Sequence, residues 1–173
     1  MKKKAAYLAL NRRLGSILFV AILALAAFLR MHKLANLPPG ISVDEAQWVL
    51  NALDVSRGSL GQLFEGGSSI GFAAYIGVSA VLLWLWESIV ALRYLNAALG
   101  VVMVAGLYFW AKDSFGRRAA LLSAFLAAVS PWAITLSRNA LPINLALAAL
   151  VWLCFLAQRA YKTGKWGYTV AAA

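Results

Sequence analysis

Long uncharged apolar stretches, separated by short basic segments, constrain this chain more than any other feature. Leu14 to Leu29 and Ala119 to Leu136 contain no charged residue, and Ile89 to Trp110 contains only Arg93, near its start. A helix needs about 20 apolar residues to cross a bilayer. In lipid every backbone N–H and C=O must be satisfied within the segment, so runs of this kind fold as helices. Composition agrees: 63% of residues are hydrophobic and 13% charged, against roughly 45–50% and about 25% for a soluble domain. The expected class is all-α, a polytopic transmembrane helical protein with about four spans.

The formal net charge is +10, yet it does not indicate nucleic acid. The basic residues sit in short segments between apolar runs, as in cytoplasmic loops, and no basic stripe with interleaved aromatics lies outside those runs. The expected partner is the bilayer. The single cysteine, Cys154, lies in an apolar run and has no internal disulfide partner. His32 has no Cys, Asp or Glu at metal-ligand spacing. No cofactor is expected and no metal ligands are identified; a divalent metal is possible but not indicated.

Met1 to Arg13 is basic and leads into a first span, 14–34, whose end residues Arg30 and Lys33 are expected to snorkel. A basic start before an apolar run also fits a secretory signal peptide, but further spans follow, which favours a retained anchor. Leu37-Pro38-Pro39-Gly40 breaks the helix. Ser42 then reads as an N-cap with Glu45 at the capping-box position, opening a short amphipathic helix over 43–57. Ala46, Val49, Leu50 and Leu53 are its expected apolar face; Asp44, Gln47, Asn51 and Asp54 fall on another. Ser59 to Ser69 reads as loop. Residues 70–86 are apolar but at the lower length limit for a span. Spans are expected over 89–111, over 119–136 with a kink at Pro131, and over 142–158. Residues 166–173 begin another apolar run that ends with the sequence, so the chain reads as a truncated single membrane module.

Charge decides how 70–86 is read. If it does not cross, eleven lysines and arginines share the side of the N-terminus and five lie opposite; if it crosses, the split is seven to nine. The positive-inside rule prefers the first arrangement. Segment 70–86 is then juxtamembrane or re-entrant. Residues 37–88 form one extracytoplasmic loop, with Asp44, Glu45 and the turn at Arg138 on the same face.

Adjacent carboxylates beside a bilayer are costly unless solvated, capped or working. Asp44 and Glu45 also suit the dipole and capping box of a helix start. Arg93 and Arg138, near span ends, could simply snorkel.

The order of P-x-G-x-x-x-D-E-A (38–46), A-L-R-Y-L-N-A-A-L-G (91–100), F-G-R-R (115–118) and S-P-W-A-I-T-L-S-R-N-A (130–140) resembles the N-terminal part of a GT-C superfamily glycosyltransferase. The likeness is to the family 39 group of protein O-mannosyltransferase-like and lipid A aminoarabinose transferases. It implies inverting transfer of a sugar from a polyprenyl-phosphate carrier to a protein, lipid or glycan acceptor at the outer face of the plasma (inner) membrane. On that pattern Asp44 is the general base, and Glu45 positions the acceptor or supports the helix start. Arg93 and Arg138 face the donor phosphate, and Gln47 and Asn51 belong to the polar acceptor face. The aminoarabinose branch carries an Arg where this chain has Gln47, and an Asp in the second outer loop that this chain lacks, so that substrate is not implied. The competing class is a non-catalytic scaffold or transporter subunit. Against it, the chain shows neither an internal repeat nor paired broken helices.

Overall fold

The computed structural model describes residues 2–63, 70–164 and 167–168. Seven α-helices and one 3-10 turn, Leu60–Leu63, account for the ordered elements, with no strand among the described residues. The helices are α1 (Lys2–Met31), α2 (Val43–Ser56), α3 (Ile70–Trp86), α4 (Ile89–Phe115), α5 (Arg117–Val129), α6 (Pro131–Ser137) and α7 (Ile143–Thr163). Parts of α1, α4 and α7 are long and apolar enough to cross a membrane. The α5–α6 pair, bent by 60°, qualifies as a fourth span if taken together. This is a multi-pass helical membrane protein. The run over 166–173 and the loop over 64–69 lie outside the described residues, apart from a helical Gly167–Tyr168.

Local chemistry sets the breaks. Pro131 takes the first position of α6, where its missing N–H costs nothing, and the Ser130 side chain caps that helix at Ala133 N. The basic loop expected over 112–118 shrinks to one residue. Lys112 to Phe115 continue α4, Gly116 turns the chain at φ +84°, and Arg117 opens α5. No proline stands between Ile89 and Gly116, and glycine alone tolerates that backbone region without strain.

Helix α4 is central and packs on α1, α5, α7, α3 and α6. Small residues let the backbones approach, which is how helices associate in lipid. Ala26 of α1, Val104, Tyr108 and Ala111 of α4, and Ala120, Ala124 and Ala128 of α5 form one buried cluster, with Phe19 stacked on Tyr108 at 3.9 Å. At Gly100 a Cβ would lie 2.7 Å from Ser137 Cβ and 2.8 Å from Arg30 Nε, so α4 passes directly against α6 and Arg30 there. At the far end Asp113 of α4 pairs with Arg159 of α7.

Arg30 departs from the snorkelling expectation. Its side chain is fully buried and donates to Ala127 O and Ala128 O at 3.0 Å, and to Ala26 O at 3.3 Å. Ala127 and Ala128 end α5, where orphan carbonyls and the negative end of the helix dipole attract a cation.

Helix α2 and helix α3 lie side by side. Ala52, Ile76, Leu83, Leu92 and Ala140 form their shared core, with Trp48 against Phe72 at 5.1 Å. Glu45 and Ala52 are the buried residues of α2, with Trp48, Val49 and Leu53 partly buried against the same core; of the expected Ala46–Val49–Leu50–Leu53 face, Val49 and Leu53 pack there and Leu50 is exposed. Glu45, a carboxylate that the helix buries, joins that side.

Candidate active site

The site is built on the break after α1. The Leu37–Pro38 peptide is cis and Gly40 has φ +78°. The Pro38 and Gly40 carbonyls face inward, toward Arg93. Ser42 caps α2, its hydroxyl accepting from Glu45 N at 3.2 Å. Asp44 and Glu45 follow in the first turn, one residue and about 100° apart around the axis, and they enter opposite environments. Asp44 is exposed and Glu45 is completely buried.

Arg93, from the first turns of α4, meets Glu45 side on. Nε donates to Oε1 at 2.8 Å and Nη2 to Oε2 at 2.7 Å. The remaining reach of the guanidinium goes to the break: Nη1 to Pro38 O at 3.2 Å and Nη2 to Gly40 O at 2.6 Å. Glu45 Oε1 also accepts from Ala140 N at 2.9 Å, in the turn between α6 and α7. One ion pair therefore joins three stretches distant in sequence: 38–45, the start of α4 and the α6–α7 turn. Burial acts to raise the Glu45 pKa, but the hydrogen bonds from Arg93, Ala140 and Ser42 outweigh it and hold the carboxyl below its usual range.

Arg138 lies in the same turn and faces the end of α1. Its Nη1 donates to Leu29 O (3.0 Å) and Arg30 O (3.2 Å), and its Nη2 to His32 O and Leu37 O, both at 3.0 Å. It closes the carbonyl end of α1, as a cation at a helix C-terminus should. It also lines a mostly apolar groove of about 330 Å³ with Phe28, His32, Pro38, Thr135 and Asn139.

The six residues expected at the site do not converge on one point. Glu45 and Arg93 are in direct contact, and Arg138 is near enough for the charge of Arg93 to be felt at its guanidinium. Asp44 stands at the exposed edge of this group. Gln47 and Asn51 bond each other at 3.0 Å on the exposed side of α2, one turn further on. Among the described residues no three His, Cys, Asp or Glu side chains come together as a metal site. Three participants escaped the sequence reading. The Ala140 amide carries no side-chain signal. Tyr75 and Asn144 each bond the Asn96 side chain of α4 at 2.9 Å, and at 21 and 48 residues from it in sequence they gave no clue to that contact.

A family model described as dolichyl-phosphate-mannose-protein mannosyltransferase matches residues 70–173, more than half of the 173-residue chain. Arg93 and Arg138 fall within the matched stretch, and Asp44 and Glu45 precede it. No match was found among curated proteins or solved structures. By that match, and in keeping with its multi-pass helical fold, the chain belongs to the dolichyl-phosphate-mannose-protein mannosyltransferase family of membrane glycosyltransferases.

Proposed function

We propose that this chain transfers a sugar, mannose by the family's name, from a polyprenyl-phosphate-linked donor to an acceptor hydroxyl at the extracytoplasmic face, with Asp44 as general base. The observation that carries the reading is the division of labour within Asp44-Glu45. A carboxylate needed only for the helix start gains nothing from a neighbour locked by an arginine and three chain segments. A carboxylate that must meet a substrate gains a fixed origin.

In the proposed reaction the Asp44 carboxylate accepts the acceptor's hydroxyl proton. The acceptor oxygen attacks the anomeric carbon from the face opposite the phosphate, and the bond from that carbon to the phosphate oxygen breaks. Polyprenyl phosphate leaves with the bonding electrons, and the configuration inverts. Glu45 contributes position through Arg93 and Ala140, being buried away from substrate. Arg93, first expected at the donor phosphate, has its guanidinium committed to Glu45, Pro38 O and Gly40 O. Arg138 is likewise engaged, its two Nη atoms donating to the Leu29, Arg30, His32 and Leu37 carbonyls, but of the two arginines it is the one that lines the groove at the end of α1, and we assign the phosphate there. Gln47 and Asn51 offer an exposed amide pair toward the acceptor.

The test is Asp44→Asn, assayed for transfer from dolichyl-phosphate-mannose. Loss of a general base costs about 10²–10⁴-fold in rate. Loss of a helix-dipole contact alone costs up to about 1 kcal/mol of stability at an exposed site and leaves turnover intact. Near-normal turnover in a normally inserted variant would return Asp44 to a purely structural role.

A further inference from the structure

Three uncharged polar side chains are buried together beneath the Glu45–Arg93 pair. Tyr75 of α3, Asn96 of α4 and Asn144 of α7 sit in apolar stretches of their helices and are almost fully inaccessible. Asn96 Nδ2 donates to Tyr75 Oη at 2.9 Å and to Leu92 O at 2.8 Å. Asn96 Oδ1 accepts from Asn144 Nδ2 at 2.9 Å. The same Asn144 amide group reaches Leu136 O at 3.0 Å, and Leu141 O and Asn139 O at 3.3 and 3.4 Å.

Those last acceptors define what the network does. Leu136, Asn139 and Leu141 bracket the turn that presents Ala140 N to Glu45. Asn96 lies one helical turn below Arg93 on α4, so both ends of the chain of contacts return to the same helix. The path closes: α4 holds Asn144 through Asn96, Asn144 holds the 136–141 turn, the turn holds Glu45, and Glu45 holds Arg93 on α4. Tyr75 ties α3 into this ring, and α3 carries Ile76 against Ala52 of α2. Polar groups buried in apolar helices are costly unless satisfied. A core of leucines would join these helices equally well, but without directional bonds to the turn.

We propose that Tyr75, Asn96 and Asn144 are positioning residues that set the first turn of α2, and hence Asp44, relative to α4; the proposal rests on the reading of Asp44 as the base. None of the three touches substrate. Asn144 acts through the Ala140 amide, Asn96 through Asn144, and Tyr75 by fixing Asn96 and the α3 surface under α2.

The experiment uses Asn144→Leu and Tyr75→Phe in the detergent-purified protein, with two readouts. The first is amide hydrogen exchange at residues 43–46 and 140, which is independent of catalysis. The second is steady-state transfer from dolichyl-phosphate-mannose, alone and combined with Asp44→Asn. Exchange at 43–46 should accelerate in Asn144→Leu. Its kcat should fall about 10–100-fold, as for a sub-ångström to ångström misplacement of a catalytic group, while the donor KM stays unchanged. The double variant with Asp44→Asn should be no slower than Asp44→Asn alone, because residues acting as one unit are not additive. Tyr75→Phe should shift the same readouts in the same direction by less. It keeps the ring and its packing, so it carries the test if Asn144→Leu does not fold.

Unchanged exchange at 43–46 in folded variants would overturn the proposal whatever Asp44 does. Faster exchange with normal kcat, or additive losses in the double variant, would also overturn it. If Asp44→Asn itself proved active, the reading of the base would fall. The exchange result would then decide by itself whether the network holds the α2 start.

Discussion

Arg93 and Glu45, 48 residues apart in sequence, form a two-point ion pair buried to 4% and 0% exposure. Burying two charges is expensive, and the attraction offsets that cost only when geometry is good and the spare donors and acceptors are filled. Here Pro38, Gly40 and Ala140 fill them. The pair converts a proline-rich break, a helix start, a transmembrane helix and a second turn into one rigid corner. Asp44 stands on that corner.

Removing one member leaves an unpaired buried charge. Glu45→Ala and Arg93→Ala should each destabilise the protein by about 3–5 kcal/mol, whereas replacing both with apolar residues of similar size, Glu45→Leu with Arg93→Met, should recover much of the loss. Thermal unfolding in detergent checks this. A double variant no better than the worse single would show that the carbonyl and amide contacts, rather than the charges, hold the corner.

The pair also sets a pH dependence. The folded-state pKa of Glu45 lies below the ordinary value of 4.5. A depressed carboxylate pKa stabilises the fold fully above the ordinary value, and that stability is lost as pH falls through the folded-state value. Glu45→Gln removes the titration but keeps the shape. The melting-temperature gap between wild type and Glu45→Gln should be flat from neutral pH down to about 5.5 and should close below about 4.5. A gap that widens in acid would reverse the assignment.

The sequence disclosed the helical membrane class because a long uncharged run has few alternatives in lipid. It disclosed the kink at Pro131, where the α5–α6 break falls, because proline cannot continue a helix without strain. It placed Ser42, Asp44 and Glu45 at a helix start because capping is local chemistry. It placed Val49 and Leu53 on the packed side of α2 but missed the burial of Glu45, since periodicity counts Glu45 as polar and cannot see an arginine 48 residues away. It took Arg30 for a residue reaching toward water for the same reason: the carbonyls of Ala127 and Ala128 belong to another helix and leave no mark on the sequence. Contacts made by backbone atoms across helices were the illegible part of the site.

The two remaining arginines should separate kinetically. Lysine keeps the charge but loses the fork of donors. Arg93→Lys should lower stability and kcat through the displaced corner, and leave the donor KM unchanged. Arg138→Lys should raise the donor KM, because Arg138 lines the groove assigned to the lipid phosphate. Steady-state kinetics against dolichyl-phosphate-mannose decide the matter. A KM change confined to Arg93→Lys would exchange the two roles.

Orientation follows from charge and from the placement of α3. With the N-terminus, Lys112–Arg118 and Arg159–Lys165 on one side, eleven basic residues face five, and by the positive-inside rule we propose that this side is the cytoplasm. The arrangement requires α3 to stay on the outer side. Its packing favours this: α3 runs along α2, whose Asp44, Gln47 and Asn51 belong in water, and Trp48 meets Phe72 while Ala52 and Ile76 share a core. Three single cysteines in a Cys154→Ser background test the consequence: Val43→Cys, Glu87→Cys and Phe115→Cys, all at exposed positions. A membrane-impermeant maleimide should label positions 43 and 87 in intact cells, and position 115 only after permeabilisation. Labelling of 43 but not 87 would make α3 a full span and reverse every later helix. Labelling of 115 from outside along with 43 would remove the charge argument altogether.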